Sequence, residues 1–306
     1  MPFPVEWRFM FAPASIALVG AVGVLVAVWA AVARRTGIPD LPDRFFAPLQ
    51  PALPRLAAAS LGVTLVALAV TNSFLAPHLS LGPQGWVFAL IEASVGVWLV
   101  AGARLRAAAA AVGLLGVIGL ALNGPVALLE SGHMWGIAWF LWLTSQPGRS
   151  THRPSLPGQL RSGVAGIRLG LGVALIVGGL SEKFAFPSIA GTVIAANPAL
   201  NVMQVVGLDT AAFIRVAGAS EILFGLLILA GVAPRVVACL TAVPFLATVP
   251  LFGRVELIGH LPYYSALLVL LAVGATGRHR RVGLGPPATT PAEPGTLVGA
   301  GVQASE

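Results

Sequence analysis

Apolar residues occur along this chain in long runs that are separated by short polar or basic connections. Nine such runs lie near residues 12–33, 56–76, 86–102, 107–123, 125–145, 167–183, 211–231, 235–252 and 259–276. An α-helix rises about 1.5 Å per residue, so roughly 20 apolar residues cross a hydrocarbon layer of about 30 Å. The pattern predicts an all-α integral membrane protein with about nine transmembrane helices.

Composition and charge agree with a lipid bilayer as the surroundings of most of the chain. Hydrophobic residues make up 57% and charged residues 9% of the 306 residues, whereas soluble domains contain roughly 25% charged residues. The net charge of +7 comes from basic residues clustered between the apolar runs, which indicates membrane topology and not a nucleic-acid partner. Because most of these clusters then face the cytoplasm, we expect the N-terminus outside the cell membrane and the C-terminus inside.

Changes between polar and apolar sequence divide the chain into five parts. Residues 1–54 are predicted to contain an N-terminal transmembrane helix and an interfacial connector. Residues 55–145 and 167–276 are each predicted to form a four-helix unit. The Pro-rich, basic residues 146–166 between them are predicted to be a cytoplasmic linker, and residues 277–306 a disordered cytoplasmic tail.

The two predicted four-helix units share residues at identical internal spacings. Glu92, Gly96, Gly102 and Arg106 recur as Glu221, Gly225, Gly231 and Arg235. Glu130 with His133 is echoed by Glu256 with His260, although the spacing is three residues in the first pair and four in the second. Runs two to five and six to nine are therefore interpreted as two parallel repeats. This predicts two parallel four-helix bundles in addition to the N-terminal helix.

The second repeat resembles a family of bacterial and archaeal membrane proteins, the DoxX family. Residues 168–184 (RLGLGVALIVGGLSEKF) are similar to its first helix, which ends in a lysine element, and residues 221–235 (EILFGLLILAGVAPR) to its Glu-x3-Gly-x5-Gly-x3-Arg element. The resemblance covers residues 167–276 and extends through the repeat to residues 55–145. The first repeat departs from the family at residues 71–74, where Thr-Asn-Ser-Phe stands in place of Ser-Glu-Lys-Phe.

The resemblance implies a role in redox chemistry at the bacterial inner membrane. DoxX-like proteins are associated with respiratory or sulfur redox reactions, including a thiosulfate:quinone oxidoreductase subunit, and with protection against oxidative or thiol stress. On this hypothesis the chain is a quinone-facing or partner-anchoring subunit, and a redox protein partner supplies the electrons. No intrinsic cofactor is expected besides a quinone, since the sequence contains no CxxC pair or Walker loop and Cys239 is its single cysteine.

Helix geometry places several charged residues at one depth in the outer half of the bilayer. Lys183 and Glu221 each lie about 21 to 22 Å from an inner-face arginine of the same helix, and an unpaired charge there costs at least about 2.5 kcal/mol. We therefore expect an ion pair between them. The predicted intramembrane polar site consists of Glu182, Lys183, Arg215, Glu221, Glu256, His260 and Tyr264, with Glu92 at the equivalent depth of the first repeat.

Two interpretations of this polar site follow from the sequence. It binds a polar headgroup such as a quinone ring, or the Lys183–Glu221 pair fixes helix register and the aromatic residues form an interfacial belt. Glu92 is predicted to be protonated, because burial disfavours the charged form; it then serves in a neutral hydrogen bond or in a proton relay.

Other polar residues have simpler interpretations. Arg106, Arg168 and Arg235 are predicted to anchor helices at the inner membrane interface. No metal site is expected, because neither His133 nor His260 has a second ligand one helical turn away.

Two other functions compete with the redox hypothesis. A duplicated bundle with a charged residue deep in each half also fits a small-molecule transporter. The lack of catalytic and cofactor motifs also fits a non-catalytic membrane scaffold or assembly factor. If the chain takes part in an enzyme, it does so as a membrane subunit of an oxidoreductase complex.

Overall fold

The fold is that of an all-α membrane protein, and each apolar run coincides with a helix. The computed structural model describes residues 4–36, 40–42, 45–80, 82, 85–145 and 157–274. Nine of the described helices follow the apolar runs: α2 (Pro13–Thr36), α3 (Leu53–Val70), α4 (Trp86–Ala101), α5 (Leu105–Glu130), α6 (Gly132–Thr144), α7 (Pro157–Gly178), α9 (Thr210–Ala230), α10 (Pro234–Phe252) and α11 (Arg254–Val273). The predicted all-α architecture is confirmed, whereas the predicted tail and residues 146–156 of the predicted linker lie outside the described residues.

Six of the described helices are long and apolar enough to cross a bilayer: α2, α3 with the turn before it, α5, α7 with the turn after it, α9 and α10. Helices α4 and α6 have 16 and 13 residues and are shorter than a full span. The number of nine transmembrane helices therefore stays a prediction.

Short elements connect these helices. They are α1 (Trp7–Met10), a 3-10 turn (Ala47–Ala52), strands β1 (Ser73–Phe74) and β2 (Ala76–Ser80), a π-helical turn (Gly179–Ala185), α8 (Pro187–Ala196) and two further 3-10 turns (Pro198–Leu200 and Val202–Val206). Strands β1 and β2 form a small antiparallel pair directly after α3. Each repeat thus leaves the regular α-helix at the end of its first helix.

Two predicted boundaries need correction. Helix α7 begins at Pro157 and not after residue 166, because Val164 and Ile167 are buried in the core and a proline is tolerated in the first turn of a helix. Helix α3 ends at Val70 and not at residue 76. Asn72 and Leu75 have positive φ angles of 52° and 63°, which an α-helix cannot contain.

The two repeats also pack on each other, and this contact between repeats was not predicted from the sequence. The last helix of each repeat packs on the first helix of the other: α6 on α7, and α11 on α3. At the α6–α7 crossing, Gly132 and Gly136 face Gly166 and Gly170, and a Cβ at Gly136 would lie 2.8 Å from the carbonyl oxygen of Gly166. Such small-residue crossings let two membrane helices approach closely. One hydrophobic core contains residues of both repeats.

Within each repeat, the first two membrane helices cross at a matching pair of glycines. A Cβ at Gly96 would lie 2.7 Å from the carbonyl oxygen of Gly62, and a Cβ at Gly225 would lie 2.6 Å from that of Gly172. These are the positions that the sequence spacings made equivalent. The matching crossings place Glu92 and Glu221 at comparable positions beside the end of the first helix of each repeat.

Candidate functional site

The π-helical turn at the end of α7 carries two of the predicted site residues. Glu182 and Lys183 lie in this turn and are partly accessible, whereas Ser181 and Phe184 are buried. A Cβ at Gly179 would lie 2.8 Å from the carbonyl oxygen of Gly218, so the turn rests directly on the backbone of α9. π-helical turns are rare and are frequent at functional sites.

Lys183 lies between two carboxylates. Its Nζ is 2.8 Å from Glu182 Oε2 and 3.7 Å from Glu221 Oε1, and the three side chains are 19%, 40% and 29% exposed, respectively. The predicted ion pair between Lys183 and Glu221 is therefore present. Glu182, the more exposed carboxylate, is the nearer partner and accepts a hydrogen bond from the ammonium group.

Five rings from three helices form an aromatic cluster beside these charges: His133, Phe245, His260, Tyr263 and Tyr264. His133 of α6 stacks on Tyr263 of α11 with ring centroids 3.9 Å apart. Tyr263 also contacts Phe245 at 5.3 Å and His260 at 5.5 Å. The Tyr264 hydroxyl donates to the carbonyl oxygen of Phe245 at 3.0 Å. Two predicted residues, His260 and Tyr264, thus belong to a cluster that both repeats build.

Glu130 links the first repeat to the π-helical turn. The Ser181 hydroxyl donates a hydrogen bond to Glu130 Oε1, and the two residues are only 7% and 8% exposed. Three residues after Glu130, His133 stacks on Tyr263, so the same segment of the first repeat contacts both the π-helical turn and the aromatic cluster. The carboxylates and the aromatic cluster are therefore parts of one polar region, which we call the Lys183 site.

Two predicted residues are not brought into the Lys183 site by described contacts. Arg215 donates from Nε to Ser15 Oγ at 3.2 Å and lies 4.2 Å over the ring of Phe9. It precedes Glu221 by six residues, which places the two side chains about 120° apart around α9. Arg215 therefore attaches the N-terminal segment, and its placement in the polar site is corrected. The side chain of Glu256 lies outside the described residues.

Glu92 forms a separate site in the first repeat. It is fully buried, and its Oε1 accepts a hydrogen bond from the Leu75 backbone N–H at 3.0 Å. Its Oε2 has no hydrogen-bond partner among the described residues. Ser73 occupies the position that corresponds to Lys183, so a backbone N–H takes the place of the ammonium group as partner of this glutamate. Protonation of Glu92 stays a prediction.

The three predicted interface anchors differ in their contacts. Arg168 Nε donates to the carbonyl oxygen of Ile228 at 2.9 Å, at the end of α9. Arg235 Nε donates to the carbonyl oxygen of Leu271 at 2.8 Å, at the end of α11, and Arg235 is only 3% exposed. Arg235 is therefore a buried helix cap, and its role as an anchor at the inner interface stays a prediction. Arg106 lies 5.0 Å over the ring of Trp142, and its role as an anchor stays a prediction.

Sequence reasoning missed four residues of the site: Glu130, His133, Ser181 and Tyr263. Glu130 and His133 were noticed as an echo within the repeat but were not joined to Lys183. The available signal was a carboxyl group inside an apolar run, which is costly unless it has a partner. No sequence signal told which repeat would supply that partner.

The Lys183 site combines aromatic faces with hydrogen-bonding groups. His133 is 6% exposed, and its Nδ1 is buried without a hydrogen-bond partner among the described residues. No group of three or more His, Cys, Asp or Glu side chains that could hold a metal ion occurs in the part of the chain that the structure describes.

Comparison with known proteins gives one match. Residues 163–254 match the family model described as DoxX, and this segment contains Ser181, Glu182, Lys183 and Glu221. No curated protein and no solved structure matches the chain.

Proposed function

Since residues 163–254 carry a DoxX domain in a membrane protein, we propose that this chain is a quinone-facing or partner-anchoring membrane subunit of a redox system. The observation that supports the proposal is the Lys183 site. There, one lysine lies between two carboxylates beside a cluster of five aromatic side chains. The proposed orientation has the N-terminus outside and the C-terminus in the cytoplasm.

The residues present fit the polar ring of a quinone. The rings of Tyr263, His260 and Phe245 offer faces for stacking. The Lys183 ammonium group can donate hydrogen bonds to a ligand oxygen. A bound quinone supplies two-electron redox chemistry, while the chain binds and orients it and holds protons on nearby carboxyl groups.

The test is purification from the native membrane in a mild detergent, followed by mass spectrometry of extracted quinones and of co-purifying proteins. We expect a nearly stoichiometric quinone, a redox protein partner, or both. Lys183→Met and Glu221→Gln should each lose the quinone. Glu92→Gln is the matched control, because Glu92 is the corresponding carboxyl group outside the Lys183 site. This variant should retain the quinone.

The other outcomes separate the alternatives. A stable protein partner without quinone, unaffected by Lys183→Met, would favour a scaffold or assembly factor. If neither quinone nor partner is found, counterflow of labelled solutes in liposomes becomes the decisive measurement, and a positive result would favour a transporter.

A transporter is the second candidate because two membrane helices are irregular. Helix α5 is interrupted at Gly124, which has φ 81° and ψ 179° and precedes Pro125. Helix α7 changes to a π-helix where it carries Lys183. Broken helices with exposed backbone groups form the substrate sites of many transporters.

A further inference from the structure

The direction of the Lys183 side chain depends on the π-helical turn. A π-turn inserts one residue into an α-helix, and one residue corresponds to a rotation of about 100° around the helix axis. Without the turn, Lys183 would point to a different side of α7 from the one on which Glu221 lies. Such irregular backbone persists only where the surrounding structure holds it.

Contacts on several sides hold this turn. The Ser181 hydroxyl donates to Glu130 at the end of α5, which belongs to the first repeat. From the N-terminal segment, the Glu6 backbone N–H donates to the carbonyl oxygen of Ala185 at 2.8 Å. The Phe186 N–H closes the turn itself by donating to the carbonyl oxygen of Ser181 at 2.9 Å. The Ser181–Glu130 bond is the side-chain contact among these, and it lies two residues from Lys183.

We propose that Glu130 is a positioning residue for Lys183 and that the Lys183 site is a composite of both repeats. Glu130 holds Ser181, Ser181 holds the π-turn, and the turn directs the ammonium group to Glu221. The first repeat has no lysine at the corresponding position, so it has no equivalent of this ion pair. Instead it completes the site of the second repeat with Glu130 and with His133, which stacks on Tyr263.

The consequence for ligand binding rests on the proposed function, but the positioning itself does not. If Glu130 positions Lys183, its removal changes the surroundings of the lysine specifically. If Glu130 only joins α5 to α7, its removal lowers stability and leaves the surroundings of Lys183 unchanged in the protein that remains folded.

The chain offers a direct probe, because Lys183 is its only lysine. Full-length protein labelled with 15N-lysine and placed in lipid nanodiscs gives lysine signals from this one residue. We expect Ser181→Ala and Glu130→Leu to move these signals. We also expect them to raise the rate at which a membrane-permeant amine reagent acylates Lys183 by about tenfold, because an ammonium group turned away from its carboxylates loses its proton more easily.

Two conservative variants serve as controls. Glu130→Gln keeps an acceptor oxygen for Ser181, so it should restore signals and an acylation rate near those of the wild type. Glu92→Gln changes a buried carboxyl group that has no described contact with the π-turn, and it should leave both readouts unchanged.

The proposal is overturned if Ser181→Ala leaves the lysine signals and the acylation rate unchanged, or if Glu130→Gln shifts them as far as Glu130→Leu does. Should Glu130→Leu fail to fold, Ser181→Ala removes only a hydroxyl group and still decides the question. Neither readout uses a quinone, so this result is independent of whether the proposed function holds.

Discussion

At the scale of single residues, Lys183 matters because it compensates two carboxylates of different accessibility. Glu221 is 29% exposed, whereas Glu182 is 40% exposed and can exchange its ion pair for water more easily. Removing one partner of a largely buried pair leaves the other charge uncompensated, which costs more than the pair itself contributes. Glu221 is therefore the carboxylate that depends most on the lysine.

We predict that Lys183→Met lowers the free energy of unfolding by about 3 kcal/mol, at the lower end for a buried pair because the side chains are partly accessible. The double variant Lys183→Met with Glu221→Gln should recover part of this loss, since no buried carboxylate is left unpaired. Thermal or denaturant unfolding in detergent measures both. Glu182→Gln is the control and should lower the free energy of unfolding by less than Lys183→Met does. If the double variant were as unstable as Lys183→Met alone, Glu221 would not depend on Lys183.

The sequence predicted this pair but not its neighbours. Lys183 and Glu221 were found because helix rise is constant, so their depth could be counted from Arg168 and Arg235. Glu130 and Tyr263 could not be found in that way. Their proximity depends on which helix packs on which, and depth alone does not contain that information.

At the scale of elements, an arginine caps the C-terminal carbonyls of a helix at three places. Arg55 Nη1 donates to Leu99 at 3.2 Å at the end of α4, and Arg168 and Arg235 do the same for α9 and α11. In each case the helix ends at a glycine with positive φ, and a Cβ on that glycine would overlap the guanidinium group. Positive charge is favourable at a helix C-terminus. These arginines therefore stabilise helix ends, in addition to their predicted effect on the orientation of the chain in the membrane.

Gly231→Ala tests this arrangement. Gly231 has φ +63°, and an added Cβ would overlap the guanidinium group of Arg168. The matched control is Gly207→Ala, because Gly207 has φ +75° with open space around it. This variant should be destabilised by only about 1 kcal/mol, through backbone strain alone. We expect Gly231→Ala to lower the melting temperature clearly more than Gly207→Ala. Equal effects would show that Arg168 moves aside at no cost.

The crossing of α6 and α7 is a second prediction at this scale. A Cβ at Gly170 would overlap the carbonyl oxygen of Gly132 and lie 2.9 Å from the Cα of Gly136, so Gly170→Ala should destabilise the protein by about 1 to 3 kcal/mol through overpacking. Gly23→Ala is the control, because nothing lies within 4 Å of an added Cβ on α2. The measurement compares the free energies of unfolding of the two variants in detergent. The sequence contained both Gly-x3-Gly pairs, but only the packing showed that they face each other.

At the scale of the whole molecule, the last helix of each repeat packs on the first helix of the other repeat as well as on helices of its own. Helix α6 of the first repeat packs on α7, and α11 of the second packs on α3. The Thr64 hydroxyl on α3 also donates to the carbonyl oxygen of Ile258 on α11 at 3.0 Å. Sequence reasoning recognised matched helices but treated each set of four as self-contained, because a repeat pattern does not tell whether repeats pack internally or across each other.

This packing between the repeats predicts that neither half folds alone. A chain divided after residue 150, within the stretch between α6 and α7, should give two fragments that are degraded or aggregate when expressed singly, because in each fragment the first helix loses the partner helix that the other repeat supplies. Co-expression should restore a one-to-one complex that elutes as one peak in detergent, since the packing between the repeats needs no covalent link. The control is a full-length chain with a protease site after residue 150, cut after folding. It should behave as the co-expressed pair does, and a second fragment that unfolds cooperatively by itself would show that the two repeats are independent units.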